Sequence, residues 1–84
     1  MRVVGEIIHP DCKITIFLWN NRYLIKFEQG YLEQTYKVDE YDVPDESVLK
    51  KIVNETLLPK ALNLFQEMEQ SLHQALSALW NRLF

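Results

Sequence analysis

Apolar and polar residues alternate through "IFLWNNRYLIKFEQGYLEQTYKV", residues 16–38, and two short turn signals interrupt the alternation. A period of two predicts half-buried strands. Four runs share this character: 2–8, 13–19, 22–28 and 31–38, all rich in β-branched and aromatic residues. Asn20-Asn21 suits a two-residue hairpin loop, because asparagine tolerates the positive φ of a type I′ turn. That loop sets Trp19 opposite Arg22, Leu18 opposite Tyr23, Ile16 opposite Ile25 and Ile14 opposite Phe27. Leu18, Tyr23, Ile16, Ile25, Ile14 and Phe27 then share one apolar face. Phe17–Leu24, Thr15–Lys26 and Lys13–Glu28 lie on the other. A turn at Gln29-Gly30 continues the scheme, with Phe27 opposite Leu32, Lys26 opposite Glu33 and Tyr23 opposite Tyr36. A one-residue slip would carry Tyr31, Glu33 and Thr35 onto the apolar face. The first strand joins through His9-Pro-Asp-Cys12, with Val3 and Ile7 on the core face. The two middle strands are the most apolar, as expected of a meander whose edges are the first and fourth.

Beyond Pro44 the period lengthens to about three and a half. Asp45 or Ser47 can cap a first helix, 45–58, whose stripe is Val48, Leu49, Ile52 and Val53. Pro59 lacks an amide donor and clashes with the carbonyl four residues back, which predicts a kink or break over 55–59. A second amphipathic helix follows over 60–83. Ala61, Phe65, Met68, Leu72, Ala75 and Leu79 recur at the 4-3 spacing of a coiled-coil seam. About 24 helical residues span roughly 36 Å, against roughly 23 Å for a seven-residue strand. The far end, with Leu72, Leu76, Leu79, Trp80 and Leu83, therefore has no evident partner within the chain. The alternative is a helix that folds back on its own sheet after Pro59.

Composition narrows the choices. Eighty-four residues, 48% hydrophobic and 25% charged, fit one globular domain, 1–84, with a small core. Cys12 is the sole cysteine, so an internal disulfide and multi-cysteine zinc frameworks are excluded. Stability must come from packing or association. A net charge of −3 gives no global field for nucleic acid or anionic lipid. No long apolar run or secretory pattern is present, which predicts a cytoplasmic protein with no membrane attachment.

Candidate chemistry is sparse. His9, Asp11 and Cys12 offer ligand atoms on one loop, but they do not complete a metal site and no base is placed to activate the thiol. Tyr23, Tyr36, Tyr41 and Gln34 put polar atoms at one end of the inner face. Core tyrosines with hydroxyls at the rim account for them better than a small-molecule pocket does. The outer face should carry Arg2, Lys13, Arg22, Lys26 and Lys37 against Glu6, Glu28 and Glu33, with Phe17 and Trp19. Phe17, Trp19, Arg22, Lys26 and Lys37 form a candidate nucleic-acid face, although the basic excess is small. A solvated face on which Trp19 stacks with Arg22 is the simpler reading.

The stretch "EIIHPDCKITIFLWNNRYLIKFEQGYLEQTYKV" resembles a family of short bacterial proteins of unassigned function. "KITIF-W" and "YLIKFEQG-LEQTYK" carry the resemblance, which spans about residues 5–70 and leaves "ALWNRLF" outside. It implies a recurring small domain and nothing catalytic. The sequence thus predicts an α+β fold: a four-stranded antiparallel meander, a helix covering one face, and a second long helix after a proline kink. The expected function is a non-enzymatic interaction module without cofactor, self-associating as a dimer through the second helix. The alternative is a nucleic-acid-binding sheet.

Overall fold

The computed structural model describes residues 1–83. Four strands, β1 (Arg2–His9), β2 (Cys12–Trp19), β3 (Arg22–Gln29) and β4 (Leu32–Asp39), form one antiparallel sheet in sequential order. Asn20 and Asn21 both have positive φ, 53° and 61°, as a type I′ loop requires. The β2–β3 register is the expected one, from Trp19 opposite Arg22 to Lys13 opposite Glu28.

The β3–β4 register differs by two residues. Gln29 pairs with Leu32, Phe27 with Gln34 and Tyr23 with Val38. The loop is Gly30-Tyr31, with Gly30 at φ 57°, and so begins one residue later than Gln29-Gly30. An even shift keeps every side chain on its expected face and changes only its partner. Glu28 now faces Glu33, and Lys26 reaches Glu33 diagonally at 3.6 Å, offsetting that repulsion.

β1 departs in another way. Val3 pairs with Phe17 but Gly5 pairs with Ile16, so Val4 is an extra residue in a β-bulge. The bulge turns exposed Val3 to the outer face, whereas Val4 and Ile7 pack on the core. Arg2 likewise lines up with Leu18 on the inner face and sits 4.0 Å from Glu46. Gly5 gives the Lys50 side chain room to cross β1, since a Cβ there would lie 2.6 Å from Lys50 Cε.

After a short 3₁₀ turn (Glu40–Asp42), one continuous helix, α1, covers the inner face; the expected second helix after a proline kink is not present. α1 is α-helical over Glu46–Ile52, π-helical over Val53–Leu57 and α-helical again over Leu58–Leu83. Asp45 caps it, accepting from the Val48 amide at 2.9 Å and the Ser47 hydroxyl at 2.6 Å. The wide turn resolves the problem posed by Pro59. The Leu58 amide donates to the Val53 carbonyl five residues back, just where the chain meets the missing proline donor. It also keeps Val53 and Leu58 on one face, which five residues of regular α-helix would set on opposite sides.

Ile14, Ile16, Ile25 and Phe27 of the sheet meet Leu49, Val53, Leu58, Ala61 and Phe65 of α1 in the core. Burying each large apolar side chain contributes roughly 1.5–3 kcal/mol.

Candidate functional site

Helix α1 is longer than the sheet it covers. Residues 46–83 at 1.5 Å each span about 57 Å, matching the molecule's longest dimension of 54 Å. An eight-residue strand covers about 26 Å. The helix leaves the sheet past the β3–β4 loop, where the Tyr31 hydroxyl donates to Glu69 Oε1 at 3.2 Å. Its core-facing stripe continues without a break. Ala61 and Phe65 are buried and Met68 packs at the core margin. Leu72, Leu76, Leu79, Trp80 and Leu83 follow at the same spacing, exposed at 39, 37, 49, 48 and 64%. Residues four, seven, eight and eleven positions after Leu72 fall within about 100° of helix surface, so the five form one face. They are the five positions expected from the sequence.

The base of this overhang holds a feature that periodicity alone did not reveal. Tyr31, Glu69, Gln70, Leu72, His73 and Leu76 line an open groove of about 480 Å³. Its floor is apolar and its rim carries a carboxylate and an imidazole. The Glu69 carboxylate holds the Tyr31 phenol proton and pushes the phenol's pKa upward. Tyr31 follows Gly30 in a hairpin loop and is itself largely exposed, so only the path of α1 brings it to the helix.

On the sheet's outer face, Phe17, Trp19, Arg22, Lys26 and Lys37 do come together. With Arg2 turned inward and Asp39 opposite Arg22, the strand positions there set four cations, Lys13, Arg22, Lys26 and Lys37, against four carboxylates, Glu6, Glu28, Glu33 and Asp39. The small basic excess expected from the sequence is gone. The expected Trp19–Arg22 stacking does not occur; Phe27 and Tyr36, edge to face at 6.0 Å, are the aromatic contact among the described residues. Thr15, though on this face, is only 5% exposed.

The His9–Cys12 loop splits its candidate groups. His9 Nδ1 accepts the Asp11 amide at 3.1 Å, while Cys12 points into the core, where burial pushes its thiol pKa up. The tyrosines do not converge either: Tyr23 is buried, Tyr36 lies at the β4 edge and Tyr41 stands in solvent. Gln34 donates from Nε2 to the Ala61 carbonyl at 3.0 Å, tying β4 to α1, and its buried Oε1 has no partner. No family model, curated protein or solved structure shows a significant match to the chain.

Proposed function

We propose that the chain is a non-enzymatic interaction module that pairs with a second copy of itself through the overhanging end of α1, forming a two-fold dimer. The supporting observation is the apolar stripe that runs from the core into solvent without a change of face. Full burial of five such side chains is worth of order 10 kcal/mol, and these are about half covered already, which leaves roughly 5 kcal/mol to gain. That is comparable to the whole net stability of a small domain. A soluble monomer seldom exposes so long an apolar strip. A closed two-fold pair is the commonest way to cover one. Among the described residues no helix is long and apolar enough to cross a membrane, and the overhang, with Glu67, Glu69 and Arg82 as its charges, lacks the basic face of a membrane-surface helix. A single buried thiol suits work in the reducing cytoplasm.

Light scattering on the full chain and on a chain ending at Ser71 tests this. A dimer that becomes a folded monomer on truncation supports it; a full-length monomer at high concentration refutes it.

The outer sheet face is a second surface, and its five grouped residues keep nucleic acid as the alternative occupant. The balance of four charges of each sign favours self-association, because phosphate binding depends on uncompensated cations.

A further inference from the structure

We infer that the two overhangs pair antiparallel, with Trp80 of each copy seated in the groove of Tyr31, Glu69, Leu72, His73 and Leu76 of the other. This rests on the dimer proposed above and specifies its geometry.

Space decides the direction. The stripe lies on the face of α1 that, one turn earlier, carries the sheet. In a parallel pair each helix would run back from the stripe into the position held by the other copy's sheet. In an antiparallel pair each helix runs away past its partner's C-terminal end into open solvent. The tip of one helix then stops against the hairpin end of the other sheet.

Spacing decides the register. An antiparallel overlap centred at Ala75–Leu76 sets Leu72 opposite Leu79 and Met68 opposite Leu83, so apolar groups meet in successive layers. Trp80 then falls over Glu69, Leu72, His73 and Leu76, which are positions i, i+3, i+4 and i+7. That quartet is the four-residue hole that accepts a knob in coiled-coil packing, and here its four members line the groove together with Gln70 and Tyr31. Tyr31 closes one side. The indole N–H is a donor that needs an acceptor when buried. Tyr31 occupies Oε1 of Glu69, which leaves Oε2 for the indole.

The exposed fractions of the five stripe residues amount to roughly 450 Å² per copy, taking about 200 Å² for each large side chain. With the groove rim added, the pair buries about 1,000–1,200 Å², just short of the roughly 1,200–2,000 Å² of stable specific interfaces. The groove must therefore be filled for the dimer to hold, and Trp80 is the large side chain that can reach it.

Single-cysteine variants under mild oxidation read the direction, with the unaltered chain as control because Cys12 is buried. Ala75 lies beside the expected two-fold axis and Leu83 far from it, and both are exposed, so substitution leaves the fold intact. The expected result is rapid cross-linking of Ala75→Cys to itself, none for Leu83→Cys, and a dimer dissociation constant at least about tenfold weaker for Trp80→Ala. A dimeric protein in which Leu83→Cys links to itself would overturn the antiparallel pairing and leave the dimer standing. A dimer indifferent to Trp80→Ala would overturn the groove assignment. A monomer under every condition would overturn the underlying dimer as well.

Discussion

Thr15 and Ile16 are neighbours on β2, point to opposite faces and are both buried. A carboxylate in place of Ile16 would sit unpaired in the core at a cost of several kcal/mol, comparable to the stability of the domain. Ile16→Asp should therefore fail to give a cooperative melting transition. From alternation alone Thr15 would tolerate Asp; its burial changes that expectation. Thr15→Asp should fold but melt lower, with Lys26 opposite it compensating in part, and Thr15→Val should be nearly neutral. Equal thermal shifts for Ile16→Asp and Thr15→Asp would contradict the face assignment. Asp45 gives a residue-scale pH effect. Hydrogen bonds from Ser47 and the Val48 amide hold its pKa below the ordinary value of 3.8. A depressed folded pKa means that its contribution is fully present above that value and is lost as pH falls through the folded pKa. Asp45→Asn retains the cap without the charge, so it should melt near the unaltered protein at pH 7 and lose less on acidification to pH 3. Asp45→Ala should melt lower at pH 7, by about 4–8 °C.

The elements show why some features were legible and others were not. Side-chain parity is a strict period-two property, so the faces of β2, β3 and β4 could be read directly. A register shift of two preserves that parity, so Lys26 meeting Glu33 looked equally good as a facing pair and as the diagonal contact that forms. The bulge at Val4 left no signal except Gly5, whose reason is the Lys50 stem on another element. Pro59 marked the site of an irregularity but not its type. The signal for a π turn lay in the spacing of core residues, Leu49, Val53, Leu58, Ala61 and Phe65, with its one gap of five. If that gap sets the turn, deleting Glu55 together with Pro59→Ala should give a regular α-helix with the same core. Circular dichroism should show unchanged helix and a melting temperature equal to or above the parent's. Loss of folding would mean that the wide turn has a role beyond spanning the gap.

At the scale of the molecule, residue counts showed that the helical residues after Pro59 outrun the sheet and carry an apolar stripe beyond it, but not that they continue the first helix without a break, because Pro59 read as its end. The groove at its base was not, because Tyr31 and Glu69 are 38 positions apart and only the packed helix joins them. The outer face makes a separate prediction at this scale. With charges balanced, neither mixed DNA nor RNA should be retarded at low salt, and Arg22→Ala with Lys26→Ala should change nothing. Submicromolar binding lost in that double variant, and falling steeply with salt, would transfer the function to the sheet. The most direct measurement is sedimentation equilibrium over a range of concentrations, on the full chain and on the chain ending at Ser71. The full chain should approach about 20 kDa, twice its mass of 10.0 kDa, while the shortened chain remains a folded monomer. A full chain that stays at 10.0 kDa at every concentration, with a melting temperature unmoved by the truncation, would contradict association through α1.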